Sequence, residues 1–248
     1  MTAPLIALFT DFGLEGPYVG QMKAVLAHQS PGIPVVDLMH DAPAFDIESS
    51  AYLLAALAGT LPERSVLVGV VDPGVGTRSR KPVIVRADGR WFVGPGNGLF
   101  NVLAARAQDT AFWDIDWRPQ QLSISFHGRD LFAPVAAMIA RGDDPPGTSA
   151  LPSARLLQDW PDDLWRIVYI DRFGNAATGV RAATLTSGDI VEARGTEFPH
   201  ARVFGEADPR RGFWYENSIG LIELALREGS AANRFDLSIG NEILRGEP

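Results

Sequence analysis

The chain has 248 residues, 46% hydrophobic and 21% charged, with a formal net charge of −8 and no Cys. That length and composition suit one large or two ordinary folded domains and argue against disorder. The acidic balance, without a basic run, excludes a phosphate backbone as the natural partner, and the missing Cys excludes disulfides, thiolate metal sites and cysteine nucleophiles.

In chain order, Leu5–Phe9 reads as a buried strand ending at Thr10-Asp11-Phe12-Gly13. It is too short for a signal-peptide core, and no stretch approaches the roughly 20 apolar residues of a membrane span. A cytoplasmic location with no membrane partner is the default expectation. Tyr18, Val19, Met22, Val25 and Leu26 predict a helix with Pro17 at its first turn. Pro34–Met39 predicts a second strand, and the spacing of Ile47, Ala51, Leu54, Ala55 and Ala58 a second helix, with Asp46 as N-cap. A third strand at Val66–Val71 is followed by a hairpin, Pro82–Ala87 and Trp91–Val93 around Asp88-Gly89. A helix after Gly98, a strand near Phe112–Ile115 and a helix after Asp130 complete the first part. Alternating strands and helices imply a mostly parallel sheet with covered faces.

The alternation stops at Arg141-Gly142-Asp143-Asp144-Pro145-Pro146-Gly147, a composition suited to a linker. Beyond it, Trp165–Ile170, Gly188–Ala193, Ala201–Phe204 and Ser218–Leu226 are short and strand-like, the last ambiguous between strand and helix. The expected organisation is an α/β N-terminal domain over 1–142, a linker over 143–163 and a β-rich, antiparallel C-terminal domain over 164–248.

Two stretches carry the chemistry. Asp72, in Asp72-Pro73-Gly74-Val75-Gly76, follows a buried strand, where open α/β sheets bind their ligands. His127 precedes Gly128 on the loop before a helix. Each has an ordinary alternative: Asp11 and Asp72 as turn or cap residues, His127 as a satisfied loop histidine or a metal ligand. A zinc site is weakly supported, since no second His lies at ligand spacing, and no Gly-x-Ser-x-Gly elbow announces a serine triad. Gly94-Pro95-Gly96-Asn97-Gly98 lacks the Lys and Ser/Thr of a P-loop.

Taken together, the Thr10–Gly13 stretch, Tyr18–Lys23, Asp72–Gly76, Gly94–Gly98, Phe126–Pro134, Tyr169–Asn175 and Asn217-Ser218 resemble the S-adenosyl-L-methionine hydroxide adenosyltransferases, relatives of the bacterial fluorinase and chlorinase. The resemblance spans nearly the whole chain. It implies a small, β-barrel-like C-terminal domain and a homotrimer whose sites lie between subunits. It implies that Asp11 holds the ribose hydroxyls, with Phe45 along the substrate. Asp171 would take the methionine ammonium, Tyr215 and Ser218 its carboxylate end, and Asn175, Phe204 and Ala231 the adenine. Phe173 and Asn217 fall in the same binding motifs.

The family triad is Asp, Arg and His, which the resemblance assigns to Asp72, Arg80 and His127, with Arg78 as the alternative arginine. Ser79 stands at the usual arginine position, as though one residue were inserted. Gly96 replaces the usual Asp of Gly-Pro-Asp-Asn-Gly, and Ile219 stands where halogenating relatives carry Arg. Those relatives present neutral donors to a halide where this chain has Asp72 and His127. An anionic carboxylate repels a halide, whereas Asp, His and Arg can hold and polarise water. The expected reaction is hydrolysis of S-adenosyl-L-methionine to adenosine and L-methionine, with no metal or other cofactor. The competing readings are a halogenase, a non-catalytic adenosine or S-adenosyl-L-methionine sensor, and a metal-dependent hydrolase.

Overall fold

A computed structural model describes residues 4–76, 81–151 and 160–246. They divide into two compact units, one of Met1–Leu54 and Leu61–Asp159, the other of Ala55–Thr60 and Trp160–Pro248.

The first unit contains, in order, β1 (Ile6–Thr10), α1 (Tyr18–Gln29), β2 (Val35–Met39), most of α2 (Ile47–Ala58, whose last four residues count with the second unit), β3 (Val66–Val70), β4 (Pro82–Ala87), β5 (Arg90–Pro95), α3 (Asn101–Arg106), β6 (Thr110–Ile115), α4 (Ala133–Arg141) and β7 (Gly147–Ala150). The sheet order is β2-β1-β3-β5-β4-β6-β7. Both β1 and β3 are fully buried, as their unbroken apolar runs require of central strands. Ile6, Leu8, Val66 and Val68 join Met22 and Leu26 of α1 and Val135 and Ile139 of α4 in one core. Asp46 caps α2 as predicted: its Oδ1 accepts from Ser49 N at 3.0 Å.

The sheet is mixed where the sequence predicted a mostly parallel one. β2, β1, β3 and β5 pair in parallel, but β4 pairs antiparallel with β5 and β6, and β6 antiparallel with β7. The cause is the predicted hairpin. Asp88 and Gly89 both take positive φ, 45° and 75°, the turn that reverses a twisted strand without splaying it. Chain direction then alternates beyond β5. Within the Pro-rich segment read as linker, Gly147–Ala150 forms the edge strand β7.

The second unit contains β8 (Leu164–Ile170), β9 (Ala176–Arg181), β10 (Ile190–Ala193), β11 (Thr196–Pro199), β12 (Gly212–Glu216), β13 (Leu221–Leu226), α5 (Ala231–Phe235) and β14 (Ile243–Gly246). They make two antiparallel sheets, β12-β13-β9-β8 and β11-β10-β14, over a core that includes Phe198, Trp214 and Ile222. The sheets touch through isolated bridges, Arg166 to Glu242 and His200 to Trp214, and no closed barrel forms among the described residues. Ala201–Phe204, expected as a strand, is not one; Phe204–Glu206 turns as a 3₁₀ helix instead. The ambiguous segment resolves as strand β13.

Candidate active site

Two neighbouring parallel strands deliver the first carboxylates. Thr10 pairs with Val70, so Asp11 leaves β1 beside the point where Val71-Asp72 leaves β3, at the carboxyl ends of both strands. His127 arrives from the other side, capping the π-helical turn Gly128–Phe132 that runs directly into α4. Asp11, Phe45, Asp72 and His127 line one cavity of about 500 Å³, large enough for a nucleoside-sized ligand. Phe12, Tyr18 and Phe126 form its aromatic wall, with ring centroids 5.2–6.0 Å apart. A smaller cavity of about 170 Å³ also borders Asp72 and His127, with Lys81 and Arg118 among its lining residues.

Backbone N–H groups hold the two carboxylates. Asp11 Oδ2 accepts a long 3.4 Å bond from Phe45 N. Burial raises the Asp11 pKa, the Phe45 bond opposes it, and the charge of Asp72 adds to the rise. Phe45 is 76% exposed and has φ of 63°, a left-handed backbone unusual for a bulky residue. Such strain tends to sit at functional sites. Asp72 Oδ1 accepts from Gly74 N at 3.2 Å, closing a local turn.

Beneath that turn, the buried Asn97 donates Nδ2 to Val71 O at 2.8 Å and accepts from Leu99 N at 3.2 Å. Within the glycine cluster, which as a sequence motif resembles the family but lacks the marks of a P-loop, Asn97 therefore clamps the strand end that bears Asp72. On the His127 loop, Arg129 binds Asp130 through Nε at 2.6 Å and Gln21 through Nη1 at 2.7 Å. The Arg129 guanidinium holds Asp130 below the usual carboxylate range, and Asp130 accepts from Ser123 N at 2.9 Å. Arg78 and Arg80 lie outside the described residues.

In the second unit, Asp171 organises its own loop. Its Oδ1 accepts from Phe173 N at 2.9 Å and Asn175 N at 2.8 Å, and its Oδ2 from Asn175 Nδ2 at 3.0 Å. Phe173 is 77% exposed, whereas Asn175 and Ala231 are buried. Ala232 N donates to Gly174 O at 2.8 Å, joining the start of α5 to this loop.

Tyr215 packs edge-on against Phe204, with centroids 5.1 Å apart, and its hydroxyl donates to Glu223 Oε1. Glu223 Oε2 accepts from Asn217 Nδ2 at 2.9 Å. Burial first, then the bond to Glu223, raises the Tyr215 pKa, and the Asp171 charge contributes. Asn217 Oδ1 accepts from Ile219 N and Leu221 N, fixing the tight turn on which Ser218 is exposed. Glu223 was missed in the sequence. Its only signal there was an acidic residue inside the apolar run Leu221–Leu226.

The matching family models account for nearly all of both units: the SAM hydroxide adenosyltransferase N-terminal domain matches residues 6–148 and the C-terminal domain residues 165–244. The chain belongs to the SAM hydroxide adenosyltransferase family. Among relatives, a Thermus thermophilus protein named (R)-S-adenosyl-L-methionine hydrolase is 38% identical, over 96% of this chain and 98% of the relative. An Actinopolyspora mzabensis protein named fluorinase is 24% identical, over 97% and 96%. Among solved structures, that of an uncharacterized conserved protein from Thermotoga maritima superposes with a TM-score of 0.88 at 28% identity, covering 98% of this chain and all of that one.

One departure from the SAM hydroxide adenosyltransferase motifs has a structural cause in this chain. A Cβ on Gly96 would lie 2.4 Å from Lys81 O and 2.9 Å from a Val83 methyl. The Gly96 N–H donates to that same carbonyl at 3.0 Å. A side chain at position 96 therefore requires the ends of β4 and β5 to shift apart.

Proposed function

We propose that the protein is an enzyme that hydrolyses S-adenosyl-L-methionine to adenosine and L-methionine. The observation that carries this reading is the convergence of Asp11, Asp72 and His127 on one aromatic-walled cavity, in a chain similar over its full length to a named hydrolase. The name of that relative specifies the R configuration, and we extend this to the substrate preferred here.

Water attacks the ribose 5′ carbon opposite the sulfonium. A C–O bond forms, the C–S bond breaks with its electron pair going to sulfur, and one proton is released. The leaving group is already cationic, so sulfur needs no general acid. His127 or Asp72 takes the proton, and Arg80, or alternatively Arg78, stabilises the developing hydroxide. Orienting and desolvating the water supply several kcal/mol of the rate enhancement.

Asp11 accepts both ribose hydroxyls, since an ionised carboxylate only accepts. Phe45 covers the substrate, and Asn175, Phe204 and Ala231 meet the adenine, with Phe173 and Asn217 in the same binding loops. Asp171 takes the methionine ammonium. With its proton committed to Glu223, Tyr215 offers a ligand only lone pairs, which suits the ammonium better than the carboxylate. Ser218 serves the carboxylate, to which Ile219 brings no cationic side chain.

We further propose that the enzyme works without cofactor, as a cytoplasmic homotrimer with a small-molecule substrate and no nucleic-acid partner. Among the described residues no group of three or more His, Asp or Glu is placed to hold a metal, and no helix is long and apolar enough to cross a membrane. The two bridges linking the sheets of the second unit support a barrel-like reading of it.

The deciding experiment is chromatography of products after incubation with S-adenosyl-L-methionine in isotopically labelled water, with chloride and excess chelator present. The expected product is adenosine labelled at the 5′ oxygen. A 5′-halogenated nucleoside would make the protein a halogenase, loss of activity in chelator would make it metal-dependent, and bound but unconverted substrate would make it a sensor.

A further inference from the structure

Behind Asp11 a chain of polar groups, none of which lines the cavity, runs inward from the exposed Lys23 and Asp37 to the buried His40 and Thr10. Lys23 Nζ on α1 donates to Asp37 Oδ2 at 2.9 Å, and Asp37 Oδ1 lies 3.0 Å from His40 Nε2. His40 Nδ1 lies 2.8 Å from Thr10 Oγ1, which also accepts from Phe12 N at 3.3 Å. Thr10 is fully buried, and His40 is 4% exposed. The bond directions follow from the ends inward. A carboxylate only accepts, so His40 Nε2 carries a proton; in the neutral ring Nδ1 then accepts from the Thr10 hydroxyl.

The same residues are stitched together through their backbones. Gly13 N donates to His40 O at 2.7 Å, and Ala42 N to Thr10 O at 3.2 Å. The Thr10–Gly13 stretch is thus gripped on both sides of Asp11, by side chain before it and by backbone after it. Sheet pairing holds Thr10, and Asp11 N donates a long 3.4 Å bond to Val70 O, but Phe12 and Gly13 lie beyond the strand. The geometry of the stretch depends on these anchors.

We propose that the Asp37–His40–Thr10 relay aims the Asp11 carboxylate at the ribose diol, making His40 and Thr10 positioning residues for substrate binding. This rests on reading Asp11 as the ribose ligand. A relay of this kind acts on only one part of the ligand, because a carboxylate turned away forfeits charge-assisted bonds to both hydroxyls. Contacts to the base and to the methionine end are untouched.

The test is calorimetric binding of adenosine and of 2′,3′-dideoxyadenosine to the full chain, using Thr10→Val, Thr10→Ser, His40→Leu and Asp11→Asn. The wild-type protein should prefer adenosine by about tenfold or more, the worth of a charged hydrogen-bond pair. Thr10→Val and His40→Leu should cut that preference about fivefold or more while dideoxyadenosine affinity stays constant, and Thr10→Ser should restore it. Should His40→Leu fail to fold, the Thr10 pair decides, since the two variants differ chiefly in whether the hydroxyl is present. Equal loss of affinity for both ligands would reduce the relay to a structural role and overturn the proposal. A wild-type preference in the relay variants, with the preference abolished in Asp11→Asn, would overturn it and leave Asp11 as the ribose ligand. A wild-type preference in Asp11→Asn as well would overturn both.

Discussion

Asp11 and Asp72 place two carboxylates on the wall of one cavity, at the ends of adjacent parallel strands, and burial together with the Asp72 charge raises the Asp11 pKa. A raised carboxylate favours folding below its ordinary value of 3.8, and that contribution is lost as the pH rises through the raised value. At neutral pH ionised Asp11 therefore costs stability. Asp11→Asn should raise Tm at pH 7 by about 1–3 °C in a thermal melt, with no such gain at pH 3. The same variant should raise KM about tenfold, the worth of a charged hydrogen bond. A neutral or lower Tm at pH 7 would refute the claim that this carboxylate is held against its solvation.

His127→Ala and Asp72→Ala should each lower kcat by about 10²–10⁴, the usual range for a positioned proton acceptor. KM should change little, because neither group binds the nucleoside or the amino acid. Combining the two should cost far less than the product of the single effects if they act as one unit. Steady-state kinetics on the three variants decides this, and multiplicative losses would mean independent roles.

Tyr215→Phe removes the phenolic oxygen while keeping the ring against Phe204. KM for the substrate should rise about tenfold with kcat nearly unchanged, whereas an analogue lacking the amino group should bind both proteins equally. Equal weakening toward the deaminated analogue would assign Tyr215 to the carboxylate end. The variant should also lose about 1–3 kcal/mol of stability in denaturant titration, since buried Glu223 loses a donor.

Gly96→Ala tests the close approach of β4 and β5. Its Cβ would meet Lys81 O at 2.4 Å, and strands must shift to admit it. A loss of about 1–3 kcal/mol in equilibrium unfolding is expected, the scale of an overpacked core. Unchanged stability would show that the strands part without penalty.

Much of the site was legible because it depends on local signals. A buried apolar run names the strand, its end names the place where a ligand binds, and Asp11 and Asp72 stand at two such ends. Asp46 and Asp88-Gly89 likewise carried their cap and turn in their own chemistry. Ala176–Arg181 was not read as a strand, because Ala and Gly have little strand preference; it becomes β9 through pairing with β8 on one side and β13 on the other. Gly147–Ala150 becomes β7 only because β6 offers it an edge. The amino-acid sequence by itself determined the family, the placing of Asp72 and His127 at loop tips and the order of most elements, all of which follow from short-range pattern. Only the tertiary structure decided that the sheet is mixed, that Asn97 clamps the Asp72 turn, that Glu223 holds Tyr215 and that His40 stands behind Asp11, because each depends on which distant polar group is buried against which.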